Sequence, residues 1–153
     1  MRKKIFLILA ILWMCVIFYM SNQPSHISSA QSSGVINVLS NVPVIGDAID
    51  IMMVNGIAQF VIRKSAHMFS YAILAILWFM SIYESNKYIK KTFITSLFFT
   101  FIYACTDEVH QLFIPGRSGE IRDVLVDSTG AIIGLCVLVI IIKFVNKKSY
   151  KLL

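Results

Sequence analysis

Charge is what this chain has least of. Only 14% of its 153 residues are Asp, Glu, Lys or Arg, where a soluble domain carries about 25%. With 58% hydrophobic residues and a mean hydropathy of +0.77, the apolar surface exceeds what one soluble domain of this length can bury. A disordered chain is excluded on the same ground. Cysteine is also scarce: Cys15, Cys105 and Cys136 fall in separate apolar runs and read as small apolar fillers, not as a disulfide scaffold. There is no His-Glu-x-x-His spacing, and no Ser or Cys sits in a nucleophile motif. What remains is a small integral membrane protein.

Four stretches have the length and apolarity to cross a bilayer as helices of about 20 residues: about 5–21, 66–83, 92–113 and 124–142. The fold class expected is all-α, a bundle of four transmembrane helices. Arg2, Lys3, Lys4, Lys87, Lys90, Lys91, Lys143, Lys147, Lys148 and Lys151 cluster at alternate ends of these stretches, and the positive-inside rule makes those ends cytoplasmic. Ten basic residues against the single acid Glu84 leave +9 inside. Arg63, Lys64, Arg117 and Arg122 against seven acids leave −3 outside, within the net +6. Both termini are therefore expected in the cytoplasm, on the inner side of a plasma membrane. The basic excess reads as topology and contact with anionic membrane lipids, so no nucleic-acid partner is expected. A basic start, an apolar run and Ser28-Ser29-Ala30 resemble a cleavable leader. Pro24 intervenes, however, and cleavage would leave an odd number of spans, so an uncleaved helix is expected.

Between the first two spans the outer loop, 22–64, is too apolar for a solvated linker, while Asp47, Asp50, Asn55 and Gln59 oppose a further span. One or two helices lying in the membrane interface fit it, with Pro43 and Gly46 as the break; a re-entrant segment is the alternative.

Polar residues inside spans are costly and point to function. With a rise of about 1.5 Å per residue, His67 stands roughly 25 Å above Glu84, and Asp107 and Asp127 stand roughly 24 Å above Lys91 and Lys143. Three helices thus put polar groups at one level, just under the outer surface. Helical spacing aligns Arg63 with His67 and Tyr71, Asp107 and Glu108 with Gln111, and Asp123 with Asp127. Pro115-Gly116 predicts a turn that returns Arg117 to the bundle. The expected outer mouth therefore holds Arg63, Lys64 and Arg117 among Asp107, Glu108, Asp123 and Asp127, with His67, Tyr71, His110 and Gln111 beside them. Gly130 and Gly134 form a GxxxG step that admits another backbone, from within the chain or from a second copy in a homo-oligomer.

The motifs Arg63-Lys64-Ser65-Ala66-His67 with Tyr71, Asp107-Glu108-x-His110-Gln111-x-Phe113-x-Pro115-Gly116-Arg117 with Asp123-Val124, and Ser21-x-Gln23-Pro24 resemble the VanZ-like family of bacterial membrane proteins. The resemblance covers nearly the whole chain, with the segment 30–56 the least diagnostic. It implies an envelope role at the outer face and carries an association with glycopeptide resistance, to teicoplanin in particular. It also implies that Asn as well as Asp serves at position 127.

Three chemistries compete for the cluster. Arg63, Lys64, His67, Tyr71, Asp107, Glu108, Gln111, Arg117 and Asp123 suit binding of an anionic amphipathic molecule, a lipid-linked cell-wall intermediate or a lipoglycopeptide, since guanidinium forks match phosphate and carboxylate. An intramembrane enzyme would use His67 or Glu108 as general base. A metal site is disfavoured, because Asp107, Glu108 and His110 point about 100° apart per residue around one helix; no metal and no cofactor are expected. A salt-bridge network that only holds short helices together uses the same residue types.

Overall fold

The computed structural model describes residues 2–42, 45–54, 56–83 and 88–149. Among these it contains six helices and no strand: α1 Arg2–Ser21, α2 Ser25–Leu39, α3 Ile45–Val54, α4 Ala58–Ile82, α5 Ile89–Gln111 and α6 Ile121–Ser149. The expected break at Pro43, together with Asn55 and the inner charges Glu84, Lys87 and Lys151, lies outside the described residues.

α1 stops where Pro24 removes a backbone donor and disfavours helix in the residue before it. Pro24 then serves as N-cap of α2 with φ −54° and ψ 153°. α4 begins at Ala58, eight residues before the start expected from the sequence. Arg63 and Lys64 had marked an edge, yet they sit in the second turn of this helix, where the bundle end accommodates their charges. Gly56, at φ +68°, makes the turn between α3 and α4. Gly46 is not the break expected of it. It lies in the first turn of α3, where a side chain would collide with the Ser40 carbonyl, so its smallness lets α2 and α3 approach.

α4 is the central helix. It packs most extensively on α6, where a Cβ on Gly130 would overlap the Met68 carbonyl and one on Gly134 would press on Ala72. The GxxxG step therefore works inside the chain. Trp13 Nε1 of α1 donates to the Ser70 carbonyl of α4 at 2.9 Å, and Tyr103 OH of α5 donates to the Met14 carbonyl of α1 at 2.6 Å. Two apolar cores result, one around Ala10, Ile17, Tyr71, Leu74 and Ala104, the other around Ala75, Phe79, Ala131 and Leu135. A satellite of Ile36, Ile49 and Ala58 ties α2 and α3 to the start of α4.

Three helices, α1, α4 and α6 over Ile121–Lys147, are long and apolar enough to cross a membrane. α5 has 23 residues, roughly 34 Å of helix, but it falls short of that apolarity. Apart from Lys90 and Lys91 at its start and Thr106, its polar residues lie mostly on the inner side. Thr92, Ser96, Thr100, Asp107, Glu108 and Gln111 are buried, while Phe98, Phe99, Phe101 and Ile102 are exposed. The hydroxyls of Thr92, Ser96 and Thr100 donate to carbonyls one turn back at 2.8–3.0 Å, so the inward polar stripe satisfies itself.

Candidate functional site

The C-terminal ends of α1 and α5 and the N-terminal ends of α4 and α6 meet at one end of the bundle. Asp107 is the hub. Its Oδ2 accepts from Ser21 Oγ of α1 at 2.7 Å, from Tyr71 OH of α4 at 3.1 Å and from Gln111 Nε2, one turn on, at 3.3 Å. All four side chains are buried. Three donors converge on Oδ2, which offsets the burial of the acid, while Oδ1 has no hydrogen-bond partner among the described residues. Of the three residues expected at one level, Asp107 bonds to α1 and α4, and His67 and Asp127 come within 3.6 Å of each other.

Glu108 faces elsewhere. Its Oε2 accepts from the backbone N–H of Glu120 at 3.0 Å and its Oε1 from Gln111 Nε2 at 3.4 Å. It pins the α5–α6 loop. His110 leaves the cluster in which the spacing had put it: its Nε2 lies 3.2 Å from Asn22 Oδ1 and its ring 4.6 Å from the Phe18 ring. At position 110 the helix points toward α1, so His67, Asp107, Glu108 and His110 do not converge.

Arg117 returns to the bundle as the Pro115-Gly116 turn predicts, with Gly116 at φ +74°. Its Nε donates to the Gln23 carbonyl at 2.9 Å, Nη2 to the Met20 carbonyl at 3.4 Å and Nη1 to Gln111 Oε1 at 3.5 Å. Gln111 therefore links the guanidinium to the Asp107 hub. Burial pulls the Arg117 pKa below its ordinary value, and the charge of Arg63 pulls it the same way. From so high a starting point it stays a cation, and an anion between the two would relieve both costs. Lys64 is paired with Asp123 of α6 and rests over the Phe60 ring, 5.3 Å from its centroid. The Arg63 guanidinium makes no hydrogen bond or ion pair among the described residues.

Two cavities open here. One, of about 110 Å³, is polar and is lined by Arg63, Lys64, His67, Gln111, Arg117 and Asp123 together with Ser25, Phe60, Gly116, Ser118 and Glu120. The second, of about 180 Å³, is mainly apolar and lies between α1, α2 and α4; Ile17, Met20, Val35, Ile62 and Ala66 contribute to it. Arg63, His67 and Arg117 line both. Of the ligand-binding set expected from the sequence, six residues face the polar cavity. Tyr71, Asp107 and Glu108 stand behind it as support.

Ser21 and Ser25 escaped the sequence reading as site residues. The Ser21-x-Gln23-Pro24 motif flagged their neighbourhood, but a serine after an apolar run reads as the end of a span. The buried pair Ser28 and Ser32, four apart on α2, was the signal that this helix lies against another.

The VanZ/LLP1 family model matches residues 6–143, which include every residue of the two cavities, and the chain belongs to that family. No curated protein and no solved structure matches it.

Proposed function

From that membership we propose that the chain is a four-span protein of the bacterial plasma membrane whose outer end binds the anionic head of an amphipathic envelope molecule. The carrying observation is the pair of adjoining cavities, one polar and one apolar, that share Arg63, His67 and Arg117. The head sits between the two guanidiniums, which hold planar anions bidentately. The alkyl chain lies in the apolar cavity between α1, α2 and α4.

α5 is the fourth span. Its exposed face is aromatic and aliphatic and its buried face polar, a distribution that water would reverse and lipid rewards. The lysines of the sequence put both termini in the cytoplasm and the cavities at the outer leaflet, with α2 and α3 lying in the interface. A polar cavity of about 110 Å³ takes a compact head such as a phosphate, a water filling about 30 Å³. A lipid-linked cell-wall intermediate meets that description. A lipoglycopeptide such as teicoplanin would insert only its fatty chain and a carboxylate, which is how a contribution to resistance would arise.

Native mass spectrometry of the full chain with farnesyl monophosphate and with farnesol tests the reading. A phosphate-dependent adduct is expected, weakened about tenfold or more in Arg63→Ala and Arg117→Ala. Equal binding of the alcohol, or unchanged affinity in both variants, would sink it. In a susceptible host, teicoplanin tolerance conferred by the chain should disappear with Arg117→Ala.

A further inference from the structure

The wall shared by the two cavities holds more than cations. His67 Nδ1 lies 3.6 Å from Oδ1 of Asp127, on the neighbouring α6. Asp127 is fully buried, and neither of its carboxylate oxygens has a hydrogen-bond partner among the described residues. A carboxyl group so placed is costly to maintain unless something beside it answers its charge. The imidazole is that group.

A proton on Nδ1, directed at that carboxylate, would leave the lone pair on Nε2, at the opposite edge of the ring. His67 lines both cavities. The ring thus borders the space where Arg63 and Arg117 would hold the head of a bound molecule. An imidazole oriented by a buried carboxylate, with two guanidiniums around an anion, is an arrangement for phosphoryl transfer, in which positioning and charge stabilisation supply most of the catalysis.

We propose that this site hydrolyses a lipid diphosphate, with His67 as the nucleophile and Asp127 as its positioning residue. The proposal rests on the binding function given above and adds a reaction to it. Nε2 attacks the terminal phosphorus, and the bond from that phosphorus to the bridging oxygen breaks. Its electron pair leaves on that oxygen, so the lipid monophosphate departs as an anion and needs no proton. Water then attacks the phosphorus of the phosphoimidazole. The P–N bond breaks, its electron pair returns to Nε2, and inorganic phosphate and one proton are released. No electron is gained or lost overall, and Nδ1 keeps its proton toward Asp127 throughout. The guanidiniums of Arg63 and Arg117 offset the charge on the terminal oxygens.

The full chain in lipid nanodiscs, given farnesyl diphosphate labelled on its terminal phosphate, tests this. Phosphate release and an acid-labile label on His67 are expected. His67→Asn, which keeps a polar group facing Asp127, should cut release at least about a hundredfold and abolish the acid-labile label. Asp127→Asn should lower kcat with KM little changed. Binding without phosphate release by the unaltered chain overturns the reaction and leaves the binding function standing. Undiminished release in His67→Asn, or an acid-stable label on Ser25, also overturns it. Failure of the unaltered chain to bind farnesyl diphosphate at all removes the binding function and the reaction with it.

Discussion

Gly130 and Gly34 differ in what surrounds them, and the difference predicts opposite responses to one change. A Cβ at Gly130 falls on the Met68 backbone, which cannot swing aside, whereas Gly34 in α2 has nothing within 4 Å. Gly130→Leu should destabilise the bundle by about 1–3 kcal/mol. Gly34→Ala should stabilise it by about 0.4–1 kcal/mol through the unfolded chain. Thermal unfolding in detergent reads both; equal shifts would contradict the packing of α4 on α6. At this scale much of the site was legible beforehand. Asp107 and Gln111 meet because four residues return to one face of a helix, and Arg117 turns inward because Pro115 and Gly116 permit little else. His110 was not legible, because position 110 lies close enough in angle to Asp107 that only the placement of α1 decides which neighbour it meets.

Between elements, Glu108 fastens the end of the α5–α6 loop that leads into α6. Glu108 receives the Glu120 N–H while buried itself, so it acts as a peg for the residues that carry Arg117 back to the cavities. Glu108→Ala should cost about 1–3 kcal/mol and speed hydrogen exchange at the Glu120 amide well before the α5 interior. Exchange at Glu120 unchanged from the parent would show that the peg is dispensable. The helices themselves divide into those the sequence declares and those it conceals. α1 and α6 are continuous apolar runs. α2, α3 and the first turns of α4 pack through Ser28, Ser32, Ile36, Ile49 and Ala58, small or isolated residues with little periodic signal. The start of α4 was hidden for a further reason: Arg63 and Lys64 look like the edge of a membrane when read alone.

For the molecule as a whole, the alternation of α1, α4, α5 and α6 brings four helix ends together at the cavities, so the beginning of α1 and the end of α6 lie at the opposite end of the bundle. With Cys15, Cys105 and Cys136 replaced, Ser118→Cys in intact cells should react with a membrane-impermeant thiol reagent. Lys91→Cys should react only after permeabilisation, and Phe98→Cys, on the exposed apolar face of α5, should resist in both. Labelling of Lys91→Cys from outside would invert the orientation, and ready labelling of Phe98→Cys would remove α5 from the bilayer. The all-helical class was readable from composition, and three of the described helices are long and apolar enough to cross a membrane; many large apolar residues stay exposed around the two cores, while α5 turns most of its polar residues inward.

Arg117 grips α1 by the carbonyls of Met20 and Gln23 and not by their side chains. A backbone anchor is indifferent to what those positions encode. Met20, which also walls the apolar cavity, is therefore free to change without moving the cation, whereas Ser21 beside it is held by its side-chain bond to Asp107. On the proposed binding function, chains with this architecture would retune which tail they accept while keeping the same grip on the head, so diversity among them should accumulate at the greasy wall and spare the turn that carries the guanidinium.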